Sequence, residues 1–240
     1  MISVCIPTYN GEKFINQQLD SILIQLAEDD EIVISDDSST DRTVEIIKAY
    51  KDKRIKLIEN QTFRSPIYNL ENALKYAKGE SIFLADQDDI WYADKVQTVL
   101  RKLKNHQLVI SDCNLIDQDN KIIATSLFEI LNSRKGFIKN LIKNTYSGNC
   151  MAFNSSLIKH ILPFPKRIAM HDQWIGLNAD LLSSVYFCDE KLVGYRKHEN
   201  NQTPFTGGVS KNCISFKMKY RIEMALLIMH NFIFKKRLQR

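Results

Sequence analysis

Asp86-Gln87-Asp88-Asp89 puts three carboxylates within four residues, directly after the apolar run Ser81-Ile-Phe-Leu-Ala85. Carboxylates held this close repel one another unless a cation or a hydrogen-bond network offsets the charge. Hard divalent ions favour such oxygen donors, and Mg2+ commonly takes one or two carboxylates together with substrate phosphates. The cluster therefore predicts a site where Mg2+ or Mn2+ holds a diphosphate. The alternative is a solvated acidic turn that leads through Lys95 into a helix. A calcium loop starting at Asp86 is excluded, because it needs Gly at 91 and Glu at 97, where Trp91 and Gln97 stand.

Two more polar clusters follow apolar runs. Thr8-Tyr9-Asn10 comes after Ser3-Val-Cys-Ile6 and Pro7, and Asp36-Asp37 comes after Glu31-Ile-Val-Ile-Ser35. One of these acids can accept a hydrogen bond from the imide N–H of uracil or thymine, and Tyr9 can stack on a base. Helix capping and surface packing are the plainer alternatives, although Ser38, Ser39, Thr40 and Asp41 already supply caps. Other routes to phosphate or acyl chemistry are missing. The chain has no GxxxxGK[ST] loop, no GxGxxG after its first strand and no GxSxG elbow.

The elements that must position these clusters alternate in kind. Strands are expected at Ser3–Ile6, Glu31–Ser35, Ile55–Ile58, Ser81–Ala85 and Val109–Asp112. Helical spacing runs from Gly11 to Leu26 through Phe14, Ile15, Leu19, Ile22 and Leu23. Another helix follows Asp41, and a third follows Pro66, with Ile67, Leu70, Leu74 and Ala77 on one face and Gly79 as its expected stop. Such alternation predicts an α/β fold with a mostly parallel, doubly wound sheet, in which ligands bind beyond the carboxyl ends of the strands. All three polar clusters then share one edge. Residues 121–150 are expected to be loops with a short helix, His171-Asp172 precedes a helical segment, and residues 200–208 read as a mobile loop.

Composition bounds the rest. The chain has 240 residues, 44% hydrophobic and 25% charged, which excludes a disordered chain. Its five cysteines lack CxxC spacing, so neither a zinc ribbon nor a disulfide scaffold is expected, and a reducing, cytoplasmic compartment fits. The N-terminus reads as a first strand and not as a secretory signal. Residues 211–240 hold eight Lys and Arg against Glu223 alone, a net +7, so the overall +5 leaves −2 for residues 1–210. With the apolar run Met224–Phe234, too short to span a bilayer, this tail suits peripheral contact with an anionic membrane. A helix packed on the domain with solvated charges is the equal alternative. Nucleic acid is not expected as a partner, since the basic residues are confined to the tail and no binding module is present.

Taken together, Val4-Cys-Ile-Pro-Thr-Tyr-Asn10, Ile34-Ser-Asp-Asp-Ser-Ser-Thr-Asp41 and Phe83-Leu-Ala-Asp-Gln-Asp-Asp-Ile-Trp91 with Lys95 resemble, in order and spacing, the signatures of glycosyltransferase family 2. His171-Asp-Gln-Trp-Ile-Gly176 and Tyr195-Arg-Lys-His198 are similar to its bacterial branch of O-antigen and capsule enzymes, often described as rhamnosyltransferases. The resemblance covers about residues 1–200. It implies an inverting, metal-dependent transferase of GT-A fold. Such an enzyme would move a sugar from a nucleotide-diphosphate donor, dTDP-rhamnose or a UDP-sugar, to a glycan on a polyprenyl diphosphate lipid. By position, Thr8, Tyr9, Asn10, Asp37, Asp86 and Asp88 would hold the nucleotide, Asp88 and Asp89 the metal, and Asp172 would be the catalytic base. Trp91, His171, Trp174, Arg196 and His198 are the expected diphosphate or acceptor contacts. Residues 1–112 would form the nucleotide-sugar half, 113–200 the acceptor half, and 201–240 a loop and basic amphipathic helix. A sugar nucleotidyltransferase would carry a Gly-rich, Arg/Lys-containing loop where Pro7-Thr-Tyr-Asn-Gly-Glu12 stands. A non-catalytic nucleotide-sugar or polysaccharide-binding module would not need Asp172.

Overall fold

The computed structural model describes residues 1–166, 168–182, 184–199 and 214–238. The chain begins with β1 (Ile2–Thr8), α1 (Ile15–Leu23), β2 (Glu31–Asp36), α2 (Thr43–Ala49), β3 (Ile55–Ile58), α3 (Pro66–Tyr76) and β4 (Ser81–Leu84). The strands expected from sequence fall within these bounds to a residue or two. β1, β2 and β4 are buried on both faces, so their apolar runs are nearly continuous, the pattern of strands covered by helices on both sides. Ser3 and Glu31 are buried within them. The Ser3 hydroxyl donates to Glu31 at 2.5 Å, and Glu31 also pairs with Lys56.

The second half adds β5 (Ile90–Trp91), α4 (Lys95–Leu103), β6 (Leu108–Ile116), β7 (Ile122–Ala124), α5 (Leu127–Leu131), α6 (Phe137–Ile142), β8 (Met151–Asn154), α7 (Ile158–Ile161), α8 (His171–Leu181), β9 (Val185–Arg196) and α9 (Ile214–Leu238). Residues 121–150 thus hold a short strand and two short helices, more order than their polar composition predicts. The segment 200–208 lies outside the described residues.

Strand order is β3-β2-β1-β4-β8-β6-β9-β5, with β7 paired to β6. β3, β2, β1 and β4 are parallel neighbours; β8 is antiparallel to both β4 and β6; β9 is parallel to β6. β6 and β9 therefore point the same way as β1, and the parallel direction dominates despite the inserted β8. The carboxyl ends of β1, β2, β4 and β9 meet at one edge, joined by the amino end of β8.

Gly79 does not stop α3, which ends at Tyr76 when Ala77 turns to extended backbone. Glycine is needed there for close approach: a Cβ would lie 2.5 Å from the backbone nitrogen of Ser3, and the Gly79 N–H donates to the Ser3 hydroxyl at 2.7 Å. Gly79→Ala should therefore push the α3–β4 connection off β1. We expect a loss of about 1–3 kcal/mol, measured as a lower urea midpoint with an unchanged m value.

Candidate active site

The edge where the strands end opens into a cleft of about 1340 Å3. Its first wall is built by the turns after β1 and β2. Thr8 is buried and donates its hydroxyl to Asp36 at 2.8 Å, while Asp36 also receives the Ser39 N–H at 2.8 Å and hydroxyl at 2.6 Å. These bonds shape the turn, and Thr8, unlike Asp36, also lines the cleft. Asp37 reaches the cleft, with one oxygen receiving the Phe63 N–H at 2.6 Å and the other the Ser65 N–H at 3.2 Å. Asn10, at a φ of 49°, accepts the Thr40 N–H at 2.8 Å and ties the two turns together. Tyr9 stands in the cleft, 55% exposed, where its ring can stack on a planar ligand.

Gln87 was not singled out by sequence, yet it couples this wall to the acidic one. Its side-chain amide accepts the Tyr9 N–H at 2.9 Å and donates to the Tyr9 carbonyl at 3.0 Å. Lys13 and Arg64 also line the cleft and bring positive charge to it.

The acidic loop follows β4. Asp86, Asp88 and Asp89 each offer an oxygen within 4.8 Å of the others. Asp86 and Asp88 line the cleft. Asp89 is buried behind them, accepting the Asn149 side-chain amide at 2.5 Å and the Arg196 N–H at 2.9 Å. Burial, then the Asp88 charge, pushes the Asp89 carboxyl up to about 8. Burial, with Asp89, Asp88 and Asp172 adding to it, holds Asp86 well above the usual carboxylate range. His198 meets the cluster through Nε2, 2.7 Å from an Asp88 oxygen, with its ring tilted against Phe14 at 5.3 Å. This hard oxygen set with one imidazole nitrogen fits Mg2+ or Mn2+.

Asp172 lines the cleft from the first turn of α8, near enough to Asp86 to oppose its ionisation. Burial raises the Asp172 carboxyl to about 6. Among the described residues both of its hydrogen bonds, from Asn144 at 3.2 Å and from the Gln173 N–H at 2.6 Å, fall on Oδ1. Oδ2 is the oxygen left for a proton donor. His171 also lines the cleft, and burial lowers its imidazole to about 4, so it is neutral near pH 7. Its ring rests on Gly148, where a Cβ would lie 2.6 Å from Nε2.

Three expected contact residues lie away from the cleft. Trp91 is 3% exposed, packed against Phe83 with centroids 5.6 Å apart and covered by the Lys95 ammonium at 4.2 Å. Trp174 is two residues beyond Asp172 and so on the opposite side of α8; it is buried and donates its indole N–H to the Ile161 carbonyl at 2.9 Å. Arg196 is fully buried. Its guanidinium donates to the carbonyls of Asp88 at 2.7 Å and Asp117 at 2.9 Å and to the side chains of Asn120 at 2.7 Å and Gln17 at 2.9 Å. It buttresses the acidic loop and is not among the residues that line the cleft.

Comparison with known proteins bears on the family and the fold. An Escherichia coli UDP-Glc:alpha-D-GlcNAc-diphosphoundecaprenol beta-1,3-glucosyltransferase is 36% identical over 107 residues, 44% of this chain and 42% of its own. A Bacillus spizizenii poly(ribitol-phosphate) beta-glucosyltransferase is 34% identical over 75% of this chain and 29% of its own. The chain thus spans less than half the length of these relatives. The S. aureus TarS 1-349 structure in complex with UDP-GlcNAc superposes with a TM-score of 0.70 at 22% identity, over 96% of this chain and 69% of that one, a likeness of fold. That fold is the GT-A type. The family model described as "Glycosyl transferase family 2" matches residues 3–162, two thirds of the sequence, and the chain belongs to that family.

Proposed function

We propose that the chain is an inverting glycosyltransferase that moves a sugar from a nucleotide diphosphate to a hydroxyl of a glycan carried on a polyprenyl diphosphate lipid, in bacterial surface-polysaccharide synthesis. The observation that carries this is the position of Asp172 in the same cleft as Asp86 and Asp88, opposite a wall that presents Tyr9 and Asp37. The names of the relatives support a UDP-linked donor over dTDP-rhamnose and a lipid-linked acceptor.

In this reading residues 1–112 hold the donor. Tyr9 stacks on the base, and Asp37, its carboxylate oriented by Phe63 and Ser65, accepts the imide N–H. Asp86 and Asp88, with His198 beside them, hold Mn2+ or Mg2+, and Asp89 acts behind them as a support. When bound, the ion supplies positive charge against the departing diphosphate. Lys13 and Arg64 add to that charge. Residues 113–200 hold the acceptor. Its hydroxyl attacks C1 opposite the diphosphate, the C1–O bond breaks with its electron pair going to the phosphate oxygen, and Asp172 Oδ2 takes the hydroxyl proton. Asn144 fixes Oδ1 and so aims Oδ2.

Calorimetric titration with UDP and dTDP, each with and without Mn2+, tests the donor site. Metal-dependent binding of UDP, lost in Asp88→Ala, is expected; absence of binding to either nucleotide by folded protein with metal present would defeat the reading. Asp172→Asn should lower transfer by roughly 10²–10⁴-fold while nucleotide affinity changes little. Equal loss of both, or of neither, rules out the base assignment and favours a binding module.

The raised Asp172 carboxyl gives two further readouts. Its ionised form is lost as pH falls through about 6, so kcat/KM should decline there. The same shift makes ionised Asp172 a cost to the fold, absent below the unfolded value near 3.8 and complete once pH rises past about 6. Asp172→Asn should thus be more stable than wild type at pH 7.5, by on the order of 1–2 kcal/mol, and equal to it near about pH 4. Urea denaturation at the two pH values checks the sign.

A further inference from the structure

The helix α9 does not have the single apolar face of an amphipathic helix. Met224 and Ile228 are buried against the domain, and Asn231 fastens the same side by donating to the His160 carbonyl at 2.5 Å and the Asn178 side chain at 3.0 Å. On the opposite side, Met218, Ile222, Leu226, Met229 and Ile233 follow one another at four, four, three and four residues. That spacing places them in one stripe. Each is more than half exposed. A helix that already buries one face has no folding reason to carry a second apolar stripe of this length, and exposed apolar patches of this kind mark interaction sites.

The neighbouring α6 repeats the pattern. It packs beside α9 and exposes Ile138 and Ile142, one turn apart, with Arg134, Lys135, Lys139 and Lys143 around them. No acid lies between residues 130 and 171. By sequence residues 211–240 carry +7, so cationic charge is concentrated in the two segments that expose these apolar side chains among the described residues. Among the described residues no helix is long and apolar enough to cross a membrane. Between Ile168 and α9 a groove of about 360 Å3, lined by Met224, Leu226 and Leu227, offers room for an acyl chain.

We propose that the α6–α9 face docks in the plane of an anionic lipid bilayer, with the α9 stripe buried at the headgroup–acyl boundary and the Lys and Arg side chains on the lipid phosphates. The chemistry fits this occupant: among the described residues Arg134, Lys135, Lys143 and Lys219 are exposed on the same two helical segments as the apolar side chains, and each cation near such a surface adds about 1 kcal/mol. Docking also bears on the cleft. Tyr220 of α9 accepts the Ala169 N–H at 3.4 Å and donates to the Gln173 side chain at 3.3 Å, so the helix is bonded to both flanks of His171-Asp172. A membrane-seated α9 holds the acceptor end of the cleft next to the bilayer, where a lipid-linked glycan resides. The docking itself does not depend on the transferase reading.

Flotation of the full chain with vesicles of phosphatidylcholine alone, or with about one third phosphatidylglycerol, tests it. Binding is expected to the anionic vesicles, to weaken with salt, and to fall roughly a hundredfold in Ile222→Glu/Leu226→Glu/Met229→Glu. These side chains are exposed, so the melting temperature and UDP titration of the variant should match wild type. That match separates loss of docking from loss of the donor site. Wild type that stays with the soluble fraction at low salt, a variant that floats as wild type does, or a wild-type dimer that the triple variant abolishes would overturn the proposal, the last by assigning the stripe to a second copy of the chain.

Discussion

The mutual repulsion of Asp86, Asp88 and Asp89 is the constraint around which the rest of this molecule is arranged. Three carboxyl groups within 4.8 Å of one another at the end of a buried strand are costly. Each is handled differently. Asp89 is held by an amide and a backbone N–H, and Asp88 is met by an imidazole. Asp86 is driven toward its neutral form by burial and by its neighbours. The Lys95 ammonium, fully buried, lies beneath on the face of Trp91 and is itself lowered to about 8 by burial. This arrangement lowers the cost of the cluster. A divalent ion in the cleft would favour the ionised carboxylates and offset their repulsion.

That economy explains why several residues with the chemistry of ligand contacts turn out to be supports. A guanidinium is a good partner for phosphate, and an indole for a sugar ring, so Arg196, Trp91 and Trp174 invite those roles on residue type. Which way a side chain faces is a tertiary property. Arg196 is spent on holding the Asp88 carbonyl and the turn at 117–120, and Trp91 forms the floor for Lys95. Conversely Gln87, Asn144 and Asn149 do much of the positioning, and amides at those places have no spacing that would announce them.

The first half of the fold was legible because its strands are buried on both faces. Runs such as Val4-Cys-Ile6 and Ile32-Val-Ile34 have one physical interpretation when punctuated by helical spacing, and the turns after them are polar for a reason that can be read locally. β9 is hard to read in the sequence for the opposite reason. Its middle, Asp189-Glu190-Lys191, is exposed and charged. Its pairing with β6 shifts register on either side of Asp112, so no period-2 pattern runs through it. The shift has a consequence for the site. It lets a strand of twelve residues follow one of nine and still deliver Tyr195, Arg196 and then His198 to the acidic loop.

The antiparallel β8, lodged between β4 and β6, which run parallel to each other, serves the same end. A parallel strand in that place would bring its carboxyl end to the cleft, followed by a loop. The reversed strand brings its amino end instead, preceded by the tight turn Gly148–Cys150. That turn carries Asn149, whose side chain donates to Asp89 and whose carbonyl accepts from Lys95 at 3.1 Å. One residue thereby links the buried acid to the buried base beneath it. Gly148 beside it leaves room for the His171 ring, next to Asp172. The break in sheet direction is thus the device that joins the acidic loop after β4 to the start of α8, where Asp172 stands.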